Sequence, residues 1–288
     1  MLVGVALPQY GIDVGEGEAW SAMRRRARDA EAAGLDSVWL SDHPFAVGPD
    51  GVPSGALEPL VSAAALARSV PRVPVGTLVL ASTMRAPGFV AHAARSLGPR
   101  FVAGLGAGWY EDEHRAFGVA LPSYGERIAR AEAIVDALDL LGDARPRVLV
   151  GGSGARVLDL AARRADAWNV AWDVPPDVFA TLNERLDDAC ARWGRDPGAL
   201  ARSAGLTVLV ADDERGVIRS VETLRARAPF LRDIDSRDLC ARIVCGTPDA
   251  CAEKIAAYRA DEIVAALLLR DDPEMLQLFG ERVVPLLR

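Results

Sequence analysis

Lysine is almost absent from the chain: Lys254 is the only one, and every other basic residue is arginine. Basic charge is also in the minority, with 33 Lys and Arg against 40 Asp and Glu and a net charge of −7. An acidic chain lacks the footprint that general nucleic-acid binding requires, so nucleic acid is excluded as a partner. The lysine scarcity, beside abundant Ala, Gly, Arg and Val, reads as genome composition. Cysteine is sparse, at positions 190, 240, 245 and 251, and no pair has C-x-x-C spacing. That excludes the common zinc and dithiol motifs and leaves small apolar residues in or near the core, without a disulfide. The three histidines, His43, His92 and His114, form no H-E-x-x-H or comparable cluster, so no metal is expected. No apolar run approaches the ~20 residues that span a bilayer. The segment Met1-Leu2-Val3-Gly4-Val5-Ala6-Leu7-Pro8 lacks a basic leader and reads as a strand. The expectation is a cytoplasmic protein with no membrane partner.

What the chain does have is apolar substance: 50% of its 288 residues are hydrophobic, enough for a large core. Short β-rich runs fall at 3–7, 37–40, 73–80, 101–105, 147–150, 167–170, 205–210 and 264–269. Most are continuous apolar runs without alternation, as in strands buried on both faces. Helical periodicity fills the intervals at 18–33, 57–68, 88–97, 126–141, 155–164, 176–193, 214–227 and 249–259, with a last helix at 273–287. Gly34 stops the first helix, and Thr247-Pro248 starts the eighth. Eight strands, each followed by a helix and with no composition break, predict a single-domain α/β protein over residues 1–288, a TIM (β/α)8 barrel.

In such a barrel the active site gathers at the C-terminal strand ends. Three of those ends carry chemistry. Ser41-Asp42-His43 follows the second strand, and an imidazole there can pass protons near neutral pH, although a capped turn would use the same residues. Gly104-Leu105-Gly106-Ala107-Gly108-Trp109 follows the fourth; its alternating glycines would let a flat ligand approach the backbone, or simply make a turn. It is not the dinucleotide fingerprint, because Trp109 occupies the place of the third glycine. Gly151-Gly152-Ser153-Gly154 precedes a helix and suits a phosphate at free N–H groups, or a tight turn. A serine nucleophile elbow fails there, since Ala155 replaces the last glycine.

These segments, in this order, resemble the bacterial luciferase-like monooxygenase family, which includes the oxidoreductases dependent on the deazaflavin coenzyme F420. The resemblance runs from Gly4-Val5-Ala6-Leu7-Pro8-Gln9 and Ala33-Gly34-Leu35-Asp36 with Ser41-Asp42-His43, through Leu57-Glu58-Pro59, Val75-Gly76-Thr77 and Met84-Arg85-Ala86-Pro87. It continues in Gly106-Ala107-Gly108-Trp109 with Glu113, in Gly151-Gly152-Ser153, in Ala167-Trp168-Asn169 and in Cys245-Gly246-Thr247-Pro248. It implies a barrel, commonly a homodimer, that holds F420 or, alternatively, FMN together with a small-molecule substrate. A non-prolyl cis peptide at Leu78–Val79 would bulge behind the cofactor ring, with Thr77, Ala107 and Gly108 beside it. Gly151, Gly152 and Ser153 would meet the phosphate. Asp42 and His43 belong to the F420-dependent branch, lining cofactor and substrate, with His43 assisting hydride transfer. Gln9, Trp109 and Trp168 would wall the substrate pocket.

The chain departs from the family in a missing insertion before the fifth strand and a shortened turn at Ser96-Leu97-Gly98-Pro99-Arg100. The family's sugar-phosphate dehydrogenases place an acid where Trp109 stands and hold phosphate with lysines, which disfavours that substrate here. Three functions follow from the resemblance: an F420-dependent hydride transferase, an FMN-dependent monooxygenase that activates dioxygen, and a degenerate flavin binder without turnover.

Overall fold

The computed structural model describes residues 1–9, 16–47, 53–227, 234–268 and 273–288. Tyr10, Leu269 and the expected strand end Arg270-Asp271-Asp272 lie outside these residues. Eight parallel strand positions close into a barrel. In chain order they are β1 (Leu2–Ala6), β2 (Ser37–Leu40), β5 (Val75–Thr77) continued by β6 (Leu80–Ala81), β7 (Phe101–Gly106), β8 (Arg147–Gly151), β9 (Ala167–Val170), β10 (Ala201–Val210) and β12 (Glu262–Leu267). The ring closes where β12 pairs with both β10 and β1. The predicted TIM barrel is the observed fold.

The helices pack outside it. They are α1 (Glu16–Ala32), α2 (Pro59–Ser69), α3 (Pro87–Leu97), α4 (Glu111–Ala116), α5 (Tyr124–Asp139), α6 (Ala155–Arg164), α7 (Pro176–Arg192), α8 (Glu214–Arg227), α9 (Ser236–Arg242), α10 (Pro248–Ala256) and α11 (Pro273–Leu278). Their ends follow local chemistry. Gly34 sits at φ 80 after α1 and Gly98 at φ 83 after α3, conformations that a Cβ resists. Proline occupies the first turn of α2, α3 and α10, and Ser123 with Glu126 forms a capping box on α5.

Three local differences from the sequence reading have physical causes. The third strand does not run unbroken over 73–80, because a cis peptide at Leu78–Val79 interrupts it between β5 and β6. A further parallel strand, β11 (Val244–Gly246), adds to the outer end of β10, and a hairpin of β3 (Phe45–Val47) and β4 (Pro53–Gly55) follows β2. The expectation of no disulfide is corrected: the turn from α9 into β11 brings Cys240 and Cys245 to a Cα separation of 5.0 Å, and their sulfurs are bonded. Cys190 and Cys251 are free and buried, as expected of small core residues.

The barrel lumen is itself packed. Trp39 lies across it, with Val102, Leu149, Ala167 and Val264. Gly4 and Gly76 make room for that indole, since a Cβ on either would stand within 2.6 Å of a ring atom. The Trp39 indole N–H donates to Ser37 Oγ at 2.8 Å, so its polar edge is satisfied inside.

Candidate active site at the barrel mouth

At the C-terminal strand ends a cleft of about 620 Å³ opens over β5 to β9. His43, Trp109 and Glu113 line one end, and Tyr124, Arg127 and Gly151–Gly154 the other. A smaller chamber of about 190 Å³ lies toward β1, β2 and β12, and His43, Leu78 and Trp172 line both spaces.

The Leu78–Val79 bulge forms the inner wall of the cleft. It also explains the glycines. A Cβ on Gly104 would meet the Thr77 carbonyl at 1.8 Å, and one on Gly106 would meet Val79 Cγ2 at 2.4 Å. Gly151 faces Val79 in the same way, at 2.8 Å. The alternation read as room for a ligand is room for the bulge at these positions. Only Gly108, at φ 74, keeps a turn of its own beside Thr83. Ala107 and Gly108 do line the cleft. Thr77 does not: it is fully buried and clasps β7, donating to Gly104 O and accepting from Gly104 N.

His43 is partly exposed, and its Nδ1 lies 2.7 Å from Glu113 Oε1. Glu113 is 3% exposed; burial pushes its carboxyl above the usual range, and the bond to His43 opposes that push. The two groups share one proton, and the second imidazole nitrogen remains for chemistry in the cleft. Trp109 stands edge-on to His43 with ring centroids 6.1 Å apart and stacks on Tyr110, so it does wall the cleft. Asp42 lines the cleft, but its carboxylate is held. Arg85 binds both oxygens at 2.5 and 2.8 Å, and the Ala81 N–H donates to one of them. The Arg85 guanidinium also reaches Glu58. Burial alone would lower the Arg85 pKa, but the two carboxylates outweigh it and raise it.

His114 is buried in the wall, where the Tyr110 carbonyl meets its Nδ1 at 2.8 Å and Thr83 Oγ1 its Nε2 at 2.7 Å. A carbonyl only accepts, so Nδ1 carries the hydrogen and Nε2 accepts from Thr83. This histidine is a neutral strut.

At the far end, the N–H groups of α6 face the cleft beyond Gly152, which sits at φ 131, and Ser153. The N-cap, Gly154, supplies no side-chain acceptor. Arg127 lines this end, donates to the Gly108 carbonyl and keeps a buried Nε without a partner. Free N–H groups at a helix start and an orphaned guanidinium nitrogen fit an anionic group.

Two expected pocket residues are corrected. Gln9 is 1% exposed and lines neither cavity; its amide ties Ser41 to the Leu57 carbonyl and so links the loops after β1 and β2. Trp168 is fully buried, stacks on Phe179, and donates to the Gly152 carbonyl at 2.7 Å. It holds the glycine turn from behind and touches no substrate space. Trp172, unremarked in the sequence, takes the pocket role instead. It follows a second cis peptide, Ala171–Trp172, and its ring rests on Gly205, where a Cβ would be 2.9 Å away. Asp173, at φ 58, then accepts from the Thr207 N–H and hydroxyl; burial pushes its carboxyl up while those bonds oppose it. A glycine inside a strand was the one signal available.

A barrel with a glycine-lined bulge, an anion cradle and a histidine–carboxylate pair at its mouth defines a class, and the chain belongs to it: the luciferase-like monooxygenase family, whose model matches residues 1–263. Among curated relatives, an F420-dependent glucose-6-phosphate dehydrogenase of Beutenbergia cavernae is 37% identical over 313 aligned positions, covering 90% of this chain and 91% of the relative. Solved structures with the same fold include the EDTA monooxygenase of Chelativorans sp. BNC1, at TM-score 0.80 and 18% identity over 100% of this chain and 93% of that one. An F420-dependent secondary alcohol dehydrogenase, in complex with an F420-acetone adduct, superposes at TM-score 0.78, with 18% identity over 100% of this chain and 99% of its own.

Proposed function

We propose that the protein is an F420-dependent oxidoreductase acting on a small organic substrate. The observation that carries this reading is the polarity of the cleft. A proton-sharing pair, His43 and Glu113, stands at one end, and an anion cradle of Arg127 and the α6 N-terminus stands at the other. A flat cofactor with a phosphate-bearing tail suits both ends. Gly151, Gly152, Ser153 and Arg127 would hold the tail, and the Leu78–Val79 bulge, Ala107 and Gly108 would back the ring. The bound deazaflavin supplies hydride transfer.

The chain's own residues supply the rest. His43 takes the proton from a substrate hydroxyl, or returns it to a carbonyl oxygen, at the imidazole nitrogen turned from Glu113. Glu113 fixes the tautomer and steadies the imidazolium. Trp109 and the bulge exclude water from the reacting atoms. The test is a binding titration of the purified protein with F420 and, separately, with FMN, read by absorbance. Binding of F420 in preference to FMN is expected. Tight binding of FMN with no response to F420 would replace this reading with an oxygen-activating one. A histidine-to-alanine change at position 43 that left every turnover intact would point to a flavin binder without this chemistry.

A further inference from the structure

We infer that the substrate is a small uncharged alcohol, or the matching carbonyl compound, seated in the inner chamber between Trp39 and Trp172. This rests on the F420-dependent reading above and narrows it. The chamber is walled by carbon, chiefly Leu40, Leu78 and Leu267, with Ala6 and Ala266 keeping it open. Among the described residues lining it there is no Arg, Lys, Asp or Glu. Its polar atoms are the His43 ring and the hydroxyls of Ser41 and Thr207, which already donate to Gln9 and Asp173.

A phosphorylated substrate would bring a dianion into this space with no cation to meet it, and burying an unpaired charge costs several kcal/mol. The cations nearby are committed. Arg85 is paired with Asp42 and Glu58. Arg127 belongs to the anion cradle at the opposite end of the cleft. Lys254, the sole lysine, donates to the carbonyls of Cys240 and Cys245 and lines a separate cavity with Tyr258. Size points the same way. At about 190 Å³ the chamber suits a compact molecule, and its ceiling, the Trp172 indole, lies flat on Gly205.

His43 is the one titratable group lining both spaces, so a molecule in the chamber can give its hydroxyl proton to that imidazole. In the oxidative direction the carbinol C–H leaves as hydride to the deazaflavin and the O–H proton goes to His43. Two electrons and two hydrogens leave the alcohol, and a carbonyl remains. Ala6, Trp172 and Ala266 set which alcohols fit.

The experiment uses the full chain with oxidised F420 bound. A panel of neutral secondary alcohols is compared with glucose 6-phosphate by following loss of the oxidised deazaflavin absorbance. Reduction by at least one neutral alcohol, and none by glucose 6-phosphate, is expected. Ala266→Leu, which fills the chamber, should lower kcat/KM for that alcohol about ten- to a hundredfold while the Kd for F420 stays within about twofold. Should that variant fail to fold, Ala6→Val makes the same comparison. Trp172→Ala should shift preference toward bulkier alcohols. F420 reduction by glucose 6-phosphate, inertness of every neutral alcohol and carbonyl with F420 bound, or unchanged kcat/KM in the filled variant would each overturn the assignment. Failure to bind F420 at all overturns the parent reading with it, and the titration separates that outcome from the others.

Discussion

At the scale of single residues, the chemistry rests on one contact, Nδ1 of His43 to Glu113. Removing the imidazole with His43→Ala should cost about 10²- to 10⁴-fold in kcat, with the cofactor Kd nearly unchanged, as measured by steady-state kinetics beside a titration. Glu113→Gln keeps the shape but cannot take the proton, so kcat should fall less and its pH profile should shift while KM holds. Trp168 acts at one remove. Trp168→Phe loses its bond to the Gly152 carbonyl, and cofactor binding should weaken about five- to tenfold while the chain still folds. His43 was legible because its type and its place at a strand end agree. Glu113 was visible only as a family match, because its partner is 70 positions away in sequence and only the fold joins them. Gln9 and Trp168 were misplaced for a related reason: residue type and strand position do not tell which side of a strand end a side chain takes.

At the scale of elements, the sequence marked the barrel strands well because strands covered on both faces must be apolar throughout. It missed α4 and α9, which are only 6 and 7 residues long and too short for a period to show. It also missed the real tenant of the glycine run. Gly104→Ala would drive a Cβ into the Thr77 backbone, which cannot step aside as a side chain can. A loss of about 1–3 kcal/mol is expected in denaturant melts, with the cleft distorted as well. The α9–β11 turn allows a simpler check. Denatured without reductant, the protein should show two reactive thiols, those of Cys190 and Cys251, and after reduction all four. In the native state Cys251 should stay silent, because burial pushes its thiol up to about 12.

At the scale of the whole molecule, the two barrel ends divide the labour. The C-terminal end carries the cleft. At the opposite end Glu262, 2% exposed at the start of β12, meets Arg147 at the start of β8 at 3.1 Å. Burial pushes the Glu262 carboxyl up, and Arg147 opposes that push. A raised carboxyl holds its proton longer in the folded chain than in the unfolded one. Stability from this group is therefore complete below about 4.5, declines as pH climbs through the raised value, and is level beyond it. Glu262→Gln does not titrate, so the Tm difference between wild type and variant should move against the wild type across that window. Among the described residues no helix is long and apolar enough to cross a membrane.

The six tryptophans are sorted by the fold into unlike optical environments. Trp39 and Trp168 are sealed in dry surroundings, whereas Trp109 and Trp172 stand open at the mouth, 68% and 43% exposed. The native emission should therefore be a sum of blue and red components. Acrylamide should quench the red one first, and a molecule filling the mouth should protect it, so the protein carries its own occupancy gauge without an added dye.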